Sequence, residues 1–373
     1  EVSNQAQAIS DVTLPKAVSI VYAAQGQYDA AGQRYGQGKV NVTLTLNEAL
    51  QTTPYLAIVP AGGMPIIIDL VKSSDTIYTG SFLIDANTPS GTATAIFSGR
   101  DLIGNRGTDI QAGATLKIDT AGPAISNIIL DPASPIKNDG GKTVSLTFTL
   151  SKALKGGTVP QITAQLTGGH QQTLAGLVSQ NPTTWTGSLT LPASVAQAAP
   201  ETLSFTFSGS DDLDNLGTKV LAVNRYQVYQ GALPPVEIPV GLTAKAIAGG
   251  KVKLDWQGVA EASAYQLYRQ APGEGELQAL AQVGGITHTD QTPADGRYRY
   301  AIASVRQSNG EESLSGQSAV VEVDASATAP GAPQNLTLRL TGQGIVAEWQ
   351  PPLASTVATY NLYRASGTDI TDI

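Results

Sequence analysis

The sequence predicts an all-β chain of several β-sandwiches in a row, and three observations carry that prediction. Apolar and polar residues alternate through many short segments, as in VNVTLTL from Val40 and VSLTFTL from Val144, the period-two pattern of half-buried strands. Glycine (39) and proline (21) are spread along the chain, as frequent tight turns require. Segments of the first 235 residues recur in order, the mark of duplicated domains.

At 373 residues the chain suits three or four domains of about 100 residues each. Charged residues make up 14%, against about 25% in an average globular protein. Threonine, serine and glutamine take their place, as on the outward positions of strands. The net charge of −8 with 22 basic residues argues against nucleic acid as a partner, because phosphates need clustered lysine and arginine. There is no cysteine, which excludes disulfides and thiolate metal sites. No stretch reaches the roughly 18 apolar residues of a membrane span. The start, Glu1-Val2-Ser3-Asn4, lacks the basic and apolar regions of a signal peptide, as expected of a mature chain or an excised fragment.

The repeat is specific. VNVTLTLNEAL (Val40 to Leu50) matches VSLTFTLSKAL (Val144 to Leu154), YTGSF from Tyr78 matches WTGSL from Trp185, and FSGRDLIGNRGT (Phe97 to Thr108) matches FSGSDDLDNLGT (Phe207 to Thr218). The offsets are 104, 107 and 110, so the blocks keep their order while the loops lengthen. Each block reads as a strand. The best short helical candidate is Ala193 to Ala199.

These blocks resemble bacterial Ig-like repeats of adhesins and other surface proteins. The resemblance rests on Asp101-Leu102-Ile103-Gly104-Asn105, similar to the D-x-x-G-N that closes such domains, and on Ile118-Asp119-Thr120-Ala121-Gly122-Pro123, similar to their V-D-T-x-x-P linker. The second copy departs from both, with Asp211-Asp212-Leu213-Asp214-Asn215 and Leu233-Pro234-Pro235. From Pro239 the texture resembles a fibronectin type III domain: Val252 to Trp256 as a strand ending in a core tryptophan, Tyr265-Gln266-Leu267-Tyr268-Arg269, and Tyr298-Arg299-Tyr300-Ala301-Ile302. The resemblance makes Trp256 a filler between sheets and Tyr298 the tyrosine-corner residue. A second copy starts after Ala325 to Pro333 with Trp349 and Tyr360-Asn361-Leu362-Tyr363-Arg364. It stops halfway through the sandwich, which predicts that the natural fold continues past Ile373.

The expected organisation is therefore all-β, a tandem Ig-like and fibronectin type III series forming an elongated multi-domain chain. Ig-like sandwiches are expected over 1–122 and 123–235, a fibronectin type III domain over 236–325, and the first half of another over 331–373.

No catalytic constellation emerges. His170 and His288 lie in separate domains without a triad or metal-ligand spacing and read as surface residues. Trp185, Trp256 and Trp349 read as core residues rather than sugar platforms. Calcium is the one cofactor the sequence brings forward, since a hard cation wants six to eight oxygen ligands. Asp211, Asp212, Asp214 and Asn215 place four oxygen-bearing side chains within five residues. Asp101, Asn105 and Asp119 would converge at the junction of the first two domains, where the resemblance implies calcium in some repeats. The alternative is that these residues make side-chain-to-backbone turns.

The expected function is a non-catalytic structural or interaction segment, a stalk, spacer or adhesive display of a secreted or surface-exposed bacterial protein. The alternative is a set of accessory modules of a large secreted polysaccharide-degrading enzyme. Protein or glycan at the cell surface is the expected partner class.

Overall fold

The computed structural model describes residues 12–326, 331–353 and 359–363. The first residues of the chain, positions 327–330 of the second linker and Arg364 of the last motif lie outside the described residues. All regular structure among the described residues is strand. The chain divides into two units, Glu1–Gly231 and Ala232–Ile373.

The first unit holds two sandwiches, each with its own hydrophobic core. In the first, a five-stranded sheet is built around Lys16–Ala24, Gly38–Leu46 and Ile77–Ile84. The facing sheet is built around Thr115–Ile118, Gly91–Arg100 and Tyr55–Val59. Inward residues Val40, Val42, Leu44 and Leu46 meet Leu56, Ile58, Ala95 and Phe97 from the opposite sheet. Each such Val, Leu, Ile or Phe side chain contributes about 1.5–3 kcal/mol on burial.

The second sandwich repeats this plan in detail. Its five-stranded sheet centres on Lys142–Leu150 between Thr184–Leu191 and Ala124–Asp131. Leu44 stands opposite Tyr78 in the first copy, and Phe148 stands opposite Trp185 in the second. Both first strands carry a register shift at the same place, between Ala17 and Ser19 and between Ile125 and Asn127. Both receive a short parallel strand, with Ala17 opposite Ile110 and Ile125 opposite Val220. The duplication thus extends to irregularities that no composition would dictate.

Two expectations need correction. Ala193 to Ala199 forms turns rather than a helix, because Ala196 adopts φ 62°, which no right-handed helix admits. His170 and His288 are half-buried rather than surface residues. His288 alternates with the outward Thr287 and Thr289 along its strand and stands opposite Leu254.

In the second unit a three-stranded sheet, Thr243–Ile247, Lys251–Asp255 and Thr287–Gln291, faces a sheet built on Ala264–Gln270 and Gly296–Ser308. Trp256 fills the space between them, with its ring edge-on to Tyr265 at 5.4 Å. The Tyr298 hydroxyl donates to the Ala294 carbonyl at 2.8 Å, the tyrosine corner the sequence called for. Gln334–Thr341 and Gly344–Gln350 form a separate two-stranded hairpin.

Candidate functional site: the junction of the two repeats

The segment after Ile118 leaves the first sandwich and enters the second within a few residues, and both sandwiches grip it. The Asp119 amide donates to the Tyr35 carbonyl at 2.9 Å. The Ser90 hydroxyl oxygen accepts from the amides of Thr120 and Ala121, both at 2.9 Å. The Thr120 hydroxyl donates to the Thr88 carbonyl. From the second sandwich, the Asn215 side-chain amide donates to the Asp119 carbonyl at 3.0 Å, and the Lys152 ammonium donates to the Ala121 carbonyl.

Charges close the joint. The Asp119 carboxylate takes Arg34 on one oxygen at 2.7 Å and Lys152 on the other at 2.7 Å. Lys152 also reaches Asp211 at 2.8 Å. The ammonium therefore has three acceptors, which matches its three hydrogens. Arg34 is held in place by Asp29 at 2.9 Å. Asp119, Asp211 and Asn215 are all buried. Charges taken from water in this way persist only when paired and hydrogen-bonded.

The Asp211 loop owes its shape to its own carboxylate, which accepts from the amides of Leu213 at 3.0 Å and Asn215 at 2.9 Å and from the Asn215 side chain at 3.1 Å. Burial pushes this carboxyl up, but Lys152 and Asn215 outweigh it and hold it below the usual carboxylate range. Asp101 makes the same turn, accepting from Ile103 and Asn105 amides at 3.0 and 2.8 Å and from the Asn105 side chain at 2.7 Å. There too burial pushes up, and the donors of Asn105, Ile103 and Gly104 bring the carboxyl down.

Backbone closeness completes the fit. A β-carbon on Gly217 would lie 1.7 Å from the Pro123 carbonyl oxygen, and one on Gly107 would lie 1.7 Å from that of Pro15. Only glycine allows the strand after each Asp-Asn loop to approach the entering chain so nearly.

The seven residues brought forward for calcium fall into separate roles. Asp101 and Asn105 do not converge with Asp119. The strand Gly91–Arg100 starts beside Ile118 and ends next to Asp101, so about 30 Å of strand puts them at opposite ends of the first sandwich. Asp119 and Asp211 do converge, on Lys152. Asp212 accepts from the Gly156 amide at 3.2 Å, and Asp214 pairs with Lys155. Among the described residues no three His, Cys, Asp or Glu side chains gather as a metal ion would need.

Lys152 and Arg34 are the residues that sequence reading missed, and Asn215, expected there as an oxygen ligand, acts as a donor to the Asp119 carbonyl. A signal for Lys152 existed: the matched blocks end in Asn47-Glu48-Ala49-Leu50 and Ser151-Lys152-Ala153-Leu154, so the copies differ in charge at the position that faces the Asp-Asn loop.

No protein-family model matches the sequence, and no curated protein matches it. Among solved structures the chain is similar to the FN1-FN3 domains of chicken CNTN1, at 12% identity over 84% of this chain and 99% of that one, with a TM-score of 0.30. It is similar to an Fn3-like protein from Clostridium thermocellum at 28% identity over 24% of this chain and 92% of that one, with a TM-score of 0.21. It is also similar to a tetra-tandem repeat in the extending region of a large adhesion protein, at 15% identity, 89% and 87% coverage and a TM-score of 0.25.

Proposed function

We propose that this chain is a non-catalytic structural and interaction segment of a secreted or surface-exposed protein, whose first two sandwiches, near 1–122 and 123–235, act as one stiff spacer. The single observation that supports this reading is the closed junction, where Arg34, Asp119, Lys152, Asp211 and Asn215 bind two sandwiches through buried charges. A flexible tether would leave its linker amides to water; here they are taken up by Tyr35 and Ser90. In this reading Lys152 supplies the positive charge at the junction, and its stiffness does not depend on calcium. No helix among the described residues is long and apolar enough to cross a membrane.

The test uses the absence of cysteine. Spin labels at Leu83→Cys and Val178→Cys, both exposed positions on different sandwiches, should give one narrow distance distribution by pulsed electron paramagnetic resonance. Chelator should leave it unchanged, and Lys152→Ala should broaden it. A broad distribution in the labelled chain with Lys152 in place would rule the spacer reading out.

A further inference from the structure

The fibronectin-like sandwich arranges its charges in two opposite ways. On the sheet that contains Gly296–Ser308, outward arginines face acids on the neighbouring strand Val321–Ala325. Arg297 is directly opposite Asp324 and Arg299 directly opposite Glu322, with contacts of 3.0 and 2.7 Å. Pairs of this kind stabilise a sheet.

The three-stranded sheet does the reverse. Lys245 is directly opposite Lys253, and Lys251, two residues before Lys253, shares the same outward face. All three are exposed. Lys253 reaches Asp255 at 3.0 Å, whereas Lys245 and Lys251 form no ion pair among the described residues. Like charges directly opposite one another destabilise a sheet. In a chain of net charge −8, this face carries one acid, Asp255, and its ion pair is with Lys253 alone.

Hydroxyls flank the lysines. Thr289 is opposite Lys253, and Asp255 lies between Thr243 and Thr287. Neighbouring strands are about 4.8 Å apart and same-face residues about 6.7 Å apart along a strand, so the ammonium groups lie within reach of one short acidic oligosaccharide. The charges suit carboxylate or sulfate, and the threonines suit sugar hydroxyls. Ile247 is the large apolar side chain this face presents, too little for insertion among lipid chains.

We propose that the outer face of this sheet, centred on Lys245, Lys251 and Lys253, binds an anionic polysaccharide. The proposal goes beyond the spacer reading and does not rest on it. The experiment titrates the full chain with oligogalacturonate, with neutral dextran and with phosphatidylglycerol vesicles by isothermal calorimetry at low salt. Oligogalacturonate should bind and dextran should not. Raising salt to 0.5 M, or the change Lys245→Glu, should weaken binding about tenfold or more. Lys245→Glu also turns a like-charge pair into an opposite one, so the melting temperature of this sandwich should hold or rise; lost binding then cannot be lost folding. The proposal falls if oligogalacturonate does not bind, if Lys245→Glu binds it equally, or if dextran or the vesicles bind as tightly.

Discussion

Lys152 Nζ and Asp211 Oδ2 stand 2.8 Å apart, although 59 residues separate them in the chain. The same ammonium holds Asp119 of the linker, so one side chain ties the second sandwich to the segment that enters it.

Removing that ammonium should be costly. Lys152→Met leaves the buried Asp211 without its cation and Asp119 with Arg34 alone, which predicts a loss of about 2–4 kcal/mol. Trp185 lies in the core of the second sandwich, so fluorine NMR of fluorotryptophan-labelled chain in urea follows this unfolding by its own resonance. Lys152→Met with Asp211→Asn should lose less than the two single changes summed, as coupled partners do. Strict additivity would mean that the pair contributes nothing.

The pH dependence has a definite sign. Asp211 and Asp101 are held below the usual carboxylate range in the folded chain. A depressed carboxyl stabilises the fold above its unfolded value, near pH 4, and that contribution disappears as pH falls through the lower folded value. Urea midpoints of the first unit should therefore be flat from pH 7 to about 5 and fall below about 4. Asp211→Asn keeps the acceptor of the turn and should flatten the acid limb. An unaltered limb in that variant would place the acid sensitivity elsewhere.

Much of this fold was legible in the sequence because a period of two needs only neighbours to be read. The matched blocks gave the strands Gly38–Leu46 and Lys142–Leu150, and Trp256 and Tyr298 gave two members of the core in the second unit. The junction was harder. Its acids were visible as a cluster of oxygen ligands, but the cation they face comes from Lys152, 33 residues after Asp119 and 59 before Asp211. Only the folded register brings those three together. The turn in Ala193 to Ala199 was missed for a local reason, since alanine-rich composition favours a helix while Ala196 is held left-handed with its amide on the Glu201 carboxylate.

The two glycines after the Asp-Asn loops should be unusually intolerant. Gly217→Ala would drive a methyl group into the Pro123 carbonyl, and Gly107→Ala into that of Pro15. Backbone must move in each case, with an expected loss of about 3 kcal/mol or more. Gly156→Ala is the control, because nothing lies within 4 Å of a β-carbon there. Chemical denaturation of the three variants separates close packing from a general penalty for losing glycine.

The second unit buries a charge pair of its own. The Asp290 carboxylate takes Arg269 Nη1 at 3.0 and 3.1 Å and the Tyr300 hydroxyl at 2.7 Å. Asp290 is 6% exposed and Tyr300 fully enclosed. Burial, and next the hydrogen bond to Asp290, push the Tyr300 phenol well up, so it stays a donor at neutral pH. Arg269→Met strips the carboxylate of its cation and should cost about 3 kcal/mol. Arg269→Lys should recover only part of that, because a point charge does not reproduce the planar donor group of guanidinium. Asp290→Asn in the Arg269→Met background removes the stranded charge while keeping an acceptor for Tyr300, so the double variant should be more stable than Arg269→Met alone. If thermal melts rank the double variant below the single one, the cost at this site is lost packing rather than unpaired charge.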